Sequence, residues 1–142
     1  MNNRILKSIL VAFTLVLFCE IAAAQSSVYI YKNPRTGEGD YMFMYGMPTI
    51  DDAEFMAKEK LVELGYAEEL VRKQASSKNK GHGLIVKSIL TNKYGKDFTV
   101  YGAALGCKSK EEAEKKALEN MKKFNPEWNE ISHSVVHKFV DE

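Results

Sequence analysis

The sequence has few of the residues and motifs that mark well-known active sites. Its 142 residues include two cysteines, three histidines and one tryptophan. It contains no glycine-rich phosphate loop, no serine elbow and no calcium-binding loop. These absences argue against the nucleotide-binding and serine-hydrolase classes that such motifs define. The sequence therefore predicts no cofactor and no metal site.

Long hydrophobic runs are also missing, since the longest apolar stretch covers only residues 9–19. A membrane-spanning helix needs about 20 apolar residues, so this stretch is too short to serve as one. Arg4 and Lys7 precede it, and the small residues 22–24 follow it. This order is typical of a signal peptide, here residues 1–24, cleaved before Gln25. The sequence thus predicts a secreted or periplasmic protein.

A lipid anchor is the alternative interpretation of the same N-terminal segment. Acylation at Cys19 would require a small residue immediately before it, and Phe18 is not small. We therefore expect residues 25–142 to be released from the membrane after cleavage.

The expected mature chain, residues 25–142, lacks both net charge and disulfides. Cleavage removes two cations and one anion from a net charge of +1, which leaves zero. A neutral domain has no strong basic field, so nucleic acid and membrane surfaces are not expected partners. Cys107 is the one remaining thiol, so no intramolecular disulfide can form. A chain of this length predicts one domain stabilised by a single packed core.

An internal repeat is the most informative feature of the sequence. Residues 46–57 align without a gap on residues 106–117, and both segments have a glycine, a hydroxyl residue, an acidic pair and Ala-Glu at matching positions. Thr49 and Ser109 each precede an acidic residue by three positions, which is typical of a helix N-terminus. We interpret the pattern as a duplication with units at 28–75 and 84–142.

Each predicted helix has an apolar stripe and a recognisable end. The first helix is expected to end near Gly65 and the second at Asn125, before a proline. Residues at helical spacing should bury one side of each helix. These are Ala53, Ala57, Leu61 and Leu64 in the first helix, and Ala113, Ala117, Met121 and Phe124 in the second.

Runs rich in β-formers lie ahead of each helix. Strands are predicted at 28–32 and 41–45, at 84–91 and 98–105, and at 131–140. Residues 68–74 fit a helix or a strand equally well. The expected fold is α+β, a mainly antiparallel sheet with two helices packed on one face in the order ββα(β)ββαβ.

The first predicted hairpin is rich in aromatic residues. We expect five of its rings to share one side of the strands and to form an outward-facing stripe: Tyr29, Tyr31, Tyr41, Phe43 and Tyr45. Such a stripe would suit a protein, peptide or saccharide partner, or a homodimer. The alternative is that the rings belong to the core. The leading functional hypothesis is therefore a non-enzymatic exported binding or inhibitor-like domain.

Cys107 supports an alternative hypothesis, a thiol hydrolase or acyl transferase. It precedes a helix N-terminus, which favours a thiolate, and His133 or His137 would be its base. The repeat places Met47 opposite Cys107, which favours a packing role instead. The two histidines, four apart on a strand, would lie roughly 13 Å from each other, too far to share a metal ion.

Overall fold

The computed structural model describes residues 25–130 and 132–141, so the predicted signal peptide lies outside the described residues. The described residues form six strands, two α-helices and one short 3₁₀ helix. In chain order these are β1 (Gln25–Lys32), β2 (Gly39–Met47), α1 (Ile50–Glu63), the 3₁₀ turn (Glu68–Leu70), β3 (Val71–Ser77), β4 (Gly81–Thr91), β5 (Asp97–Cys107), α2 (Lys110–Phe124) and β6 (Ser134–Asp141). The predicted α+β class and the predicted element order are confirmed.

The strands divide between two antiparallel sheets, with orders β2-β1-β3 and β5-β4-β6. Helix α1 packs on the first sheet and α2 on the second. The face of each sheet that is not covered by its helix packs against the other sheet. At this contact Val28 and Ile30 of the first sheet meet Ile85, Tyr101 and Ala103 of the second. The layers therefore run helix, sheet, sheet, helix.

This layering differs from the expected single sheet with both helices on one face. The physical reason is that both faces of each sheet are apolar around the central strand. In β4, Leu84 and Val86 face α2, whereas Ile85 faces the first sheet, and all three are buried. A single sheet with both helices on one face would leave the apolar side chains of the other face, such as Ile85, in water. Stacking the two sheets buries them.

The two halves share their local construction. Thr49 and Ser109 each accept a hydrogen bond at 3.1 Å from the backbone N–H three residues on, which caps α1 and α2 as predicted. Gly46 and Gly106 both adopt a positive φ, 69° and 64°, ahead of these caps. Strand order within each sheet is also equivalent. Descent of the halves from one duplicated unit stays a prediction.

The apolar stripes of the helices are shorter than predicted. Residues Ala53, Ala57 and Leu61 of α1 are buried, as are Ala113, Ala117 and Met121 of α2. Leu64, the residue after α1, and Phe124, the last residue of α2, are 62% and 46% exposed. The stripe pattern continues in sequence, but these two side chains lie outside the buried core.

The segment that fitted helix or strand equally well is mostly strand. After the 3₁₀ turn, β3 pairs with β1, and the register shifts between Val28 and Tyr29, so that Gln74 is an extra residue on β3. Such a bulge re-aims a side chain. Here the amide of Gln74 reaches the backbone oxygen of Tyr101 on β5 at 2.9 Å, which links the two halves.

Candidate functional site

The five rings of the first hairpin do not form one stripe. The register of β1 with β2 places Ile30 opposite Tyr41 and Tyr29 opposite Met42. Odd-numbered side chains of β1 therefore share a face with even-numbered side chains of β2. Tyr29 and Tyr31 lie on the α1 side, whereas Tyr41 and Phe43 pack toward the second sheet. The predicted common face is wrong for this reason.

Tyr31 and Tyr41 serve the packing of the fold. Tyr31 is buried and stacks on Tyr66 at a ring distance of 4.2 Å. The Tyr66 hydroxyl donates to Asp40 Oδ2 at 2.8 Å. Tyr41 lies 5.3 Å from the ring of Tyr101 on β5. For these two tyrosines, the alternative interpretation of the rings as core fits the geometry.

Phe43 and Tyr45 belong to a different group of rings, which we call the edge cluster: Phe43, Tyr45, His137 and Phe139. Phe43 lies 4.0 Å from the His137 ring and 5.5 Å from the Phe139 ring. Tyr45 lies 5.9 Å from Phe43 and 5.4 Å from Phe139, in near-parallel stacks. Strands β2 and β6 are edge strands of the two different sheets, so these rings connect the sheets along one side.

Local backbone features present the edge cluster. Gln25 pairs with Met47 and Ser27 pairs with Met44, so Tyr45 and Gly46 form a bulge in β2. Gly83 lies opposite Phe139, and a Cβ at Gly83 would stand 2.2 Å from that ring. The absent side chain therefore gives Phe139 room to lie over β4. Tyr45 is 52% exposed, while the other three rings are half-buried.

His137 is a packing member of this cluster. Its burial lowers the pKa of the imidazole below the ordinary value, so the neutral ring predominates at neutral pH. A neutral imidazole suits stacking on Phe43 and Phe139. The sequence makes His137, like His133, a candidate base for Cys107, because local signals do not set the register of β6 in its sheet.

The structure does not bring Cys107, His133 and His137 together. Cys107 is 2% exposed beneath α2, and its thiol contacts the Leu105 carbonyl at 3.7 Å. His137 lies opposite Ile85, on the face toward the first sheet. His133 Nε2 lies 3.2 Å from Glu114 Oε1 on α2.

The electrostatics of Cys107 also oppose a nucleophile. Burial raises the pKa of its thiol, and Glu112 adds to that increase against the opposing effect of Lys116. A nucleophilic cysteine needs a lowered pKa and access. His82 stands opposite Cys107 in the β4–β5 ladder. No hydrogen bond joins these two side chains in the described part of the chain.

A groove between the two halves was not anticipated from the sequence, and we call it the inter-half groove. Its volume is about 550 Å³, and its walls come from β1, β3, β5 and the end of α2. The lining is mainly apolar, with Ile30, Leu70, Val100 and Phe124, and it also carries Lys32 and Arg72. The position of Arg72 beside β1 could not be predicted, because the sequence of residues 68–74 fits a helix or a strand equally well.

Hydrogen bonds fix the positions of the polar side chains that line the inter-half groove. Lys32 Nζ donates to Asn125 Oδ1 at 2.8 Å, and Asn125 Nδ2 donates to the Met121 carbonyl. Gln74 also lines the groove, and its Nε2 donates one hydrogen bond to the backbone carbonyl of Tyr101 and one to Asn120 Oδ1. Its Oε1 is buried without a hydrogen-bond partner among the described residues.

Comparison of the chain with family models, curated proteins and solved structures found no match. Within residues 25–130 and 132–141, no three His, Cys, Asp or Glu side chains converge as metal ligands would. No helix among these residues is long and apolar enough to cross a membrane.

Proposed function

We propose that this chain is an exported, non-enzymatic binding module that holds a partner protein at the edge cluster. The observation that carries this proposal is the half-exposed ring of Tyr45, stacked on Phe43 and Phe139 at the edge shared by both sheets. Export is supported by the N-terminal pattern of two cations, an apolar run and three alanines.

The support of Tyr45 makes it suited to recognition. The rings of Phe43 and Phe139 lie at 11° and 24° to the plane of Tyr45 and support its side chain. Little conformational entropy is therefore lost when a partner covers Tyr45. Tyrosine combines a large apolar face with a hydroxyl and is enriched at protein interfaces. The bulge at Tyr45 and Gly46 also disfavours simple strand addition to this edge, so side chains would carry the contact.

The rings beside Tyr45 favour a protein over a saccharide. Tyr45 is flanked by Phe43 and Phe139, which are apolar rings. A sugar would need several hydrogen-bonding groups around the ring, whereas these two phenylalanines offer none. A partner protein with aliphatic or aromatic side chains at its surface complements this set.

The test compares Tyr45→Ala with Tyr94→Ala as a matched control, because Tyr94 is 81% exposed in a loop of the second hairpin. Tagged protein, expressed with its own N-terminal segment, is recovered from the cell envelope and medium. Intact mass then shows whether the chain starts at Gln25. Co-purified proteins are identified, and the affinity of the main one is measured with purified components.

We expect wild type and Tyr94→Ala to bind the same protein with the same affinity, and Tyr45→Ala to bind it at least tenfold more weakly. Circular dichroism should show all three folded. Equal binding by all three variants, or no partner for any of them, overturns the proposal. A concentration-dependent dimer lost in Tyr45→Ala, or a saccharide bound at this ring, assigns the surface to another occupant and also overturns it.

A further inference from the structure

The inter-half groove has cations without matching carboxylates. Its lining includes Lys32, Arg72 and Lys73 but no Asp or Glu. Lys73 is already engaged, since its Nζ lies 3.0 Å from Glu54 Oε1. Lys32 donates to a neutral amide, and Arg72 donates to the backbone oxygen of Val71. Within the described ranges, neither Lys32 nor Arg72 forms a salt bridge.

The two cations converge because of strand register. Arg72 lies opposite Ile30, and Lys32 is two positions further along β1 on the same face. Diagonal neighbours of this kind have backbones about 7–8 Å apart. Both side chains are long enough to reach one anionic group from that separation. An arginine can hold a carboxylate through two parallel hydrogen bonds.

The apolar part of the groove adjoins these cations. Ile30, Leu70, Val100 and Phe124 line it, and Phe124 leaves 46% of its surface exposed. Ligand sites typically enclose about 300–1,000 Å³ and combine an apolar lining with a few placed polar groups. The volume of about 550 Å³ lies in that range. The shape and chemistry together suit a molecule with one charged end and an apolar body.

We propose that the inter-half groove binds an amphipathic carboxylate, with the carboxylate between Arg72 and Lys32 and the apolar tail along Ile30, Leu70 and Phe124. The unpaired oxygen of Gln74 would repel a carboxylate, which favours a charged end beside Arg72 and Lys32 rather than beside Gln74. This site is separate from the edge cluster, and its occupant is a small molecule rather than a protein.

The position of Lys32 gives an energetic reason for an anionic ligand. Burial is the main cause that lowers the pKa of Lys32, and the charge of Glu127 only partly offsets it. An ammonium that has lost part of its hydration is stabilised by any anion that enters beside it. The C-terminal end of α2 near Asn125 contributes only the partial negative charge of a helix C-terminus.

The test uses three probes with the full chain: decanoate below its micelle concentration, decanol with the same tail, and acetate with the same head group. Isothermal titration calorimetry gives affinity and stoichiometry. We expect saturable 1:1 binding of decanoate and at least tenfold weaker binding of decanol and acetate. Amide chemical shifts should change at Arg72, Thr99, Tyr101 and Asn125, and stay constant at Tyr45.

Two arginine variants locate the charge contact. Arg72→Gln should weaken decanoate binding at least tenfold while leaving decanol binding unchanged. Arg35→Gln, an equivalent change on the exposed loop of the first hairpin, should leave both unchanged. Lys32→Met keeps the apolar stem and should weaken decanoate similarly.

Three outcomes overturn this inference: decanoate and decanol binding alike, equal effects of Arg72→Gln and Arg35→Gln, or shift changes centred on Tyr45. None of them bears on partner binding at the edge cluster, because that proposal is measured with a different variant and a different ligand.

Discussion

Gln74 and Asn120 hold each other through two reciprocal amide hydrogen bonds across the junction between the halves. Gln74 Nε2 donates to Asn120 Oδ1 at 2.7 Å, and Asn120 Nδ2 donates to the backbone carbonyl of Gln74 at 3.2 Å. Asn120 Oδ1 also accepts from the backbone N–H of Ala103 at 3.0 Å. The pair therefore satisfies groups on the free edge of β5, which would otherwise be buried unpaired.

Asn120→Ala should destabilise the protein by about 2–4 kcal/mol, because the buried donors on Gln74 and Ala103 lose their partner. Denaturant unfolding followed by circular dichroism measures the loss. Asn79→Ala, in an exposed loop, is the matched control and should change stability by less than about 0.5 kcal/mol. Equal effects of the two changes would show that the amide pair contributes little.

Gly102 lets α2 approach β5 closely. A Cβ at this position would lie 2.1 Å from the Ala117 carbonyl oxygen and 2.7 Å from Met121 Cβ. Gly102→Ala should therefore cost about 1–3 kcal/mol or more through displacement of the helix. For comparison, Gly46→Ala meets no atom within 4 Å, and its cost of about 1–2 kcal/mol should come from positive φ alone. Thermal unfolding and near-UV circular dichroism should separate them, since only Gly102→Ala should alter tertiary packing.

The Cys107 thiol should react slowly with iodoacetamide at pH 8 in the folded protein and quickly in denaturant, because it is buried and its pKa is raised. A raised thiol pKa means that the folded state binds the proton more tightly. The stabilisation is thus complete below the unfolded-state pKa of about 8.5 and declines as pH rises above it. Mass spectrometry of the labelled protein measures the rate. Rapid labelling near neutral pH in the folded state would revive the thiol-enzyme hypothesis.

Tyr101 should ionise later than an ordinary tyrosine. Burial, followed by the charge of Asp40, raises the pKa of Tyr101 to about 12. Because the folded-state pKa is the higher one, this group stabilises the fold below about pH 10, and that contribution is lost toward pH 12. Ultraviolet difference titration should show a step near pH 12 that is absent from Tyr101→Phe and from the unfolded protein. A Tyr101→Phe profile identical to wild type would contradict this assignment.

Local signals accounted for much of the fold. The caps at Thr49 and Ser109, the helices that follow and the two hairpins are read from short stretches of sequence, because their main determinants lie within a few residues. The final strand was also predicted, although β6 begins at Ser134 rather than at residue 131. Trp128 was missed, since a lone tryptophan in a loop carries no periodic pattern. It is buried, and its indole donates to Ser88 Oγ at 2.9 Å.

The candidate sites depended on registers that the sequence could not supply. One residue of difference in hairpin register moves Tyr29 and Tyr31 to the face opposite Tyr41 and Phe43. The edge cluster requires β2 and β6 to meet although they are distant in the chain. The inter-half groove requires the bulge at Gln74 and the approach of β3 to β5. Each is a long-range pairing between segments of similar apolar character.

The sequence by itself determined the class, the element order, the helix caps and the single thiol of the expected mature domain, because each depends on composition or on neighbours along the chain. Only the tertiary structure decided that six strands form two stacked sheets, and hence which rings are buried and where the cations of the groove converge. Side chains on both faces of β1 and β4 are apolar, so either face could have met a helix. Packing the two halves against each other selects the arrangement that removes both faces from water.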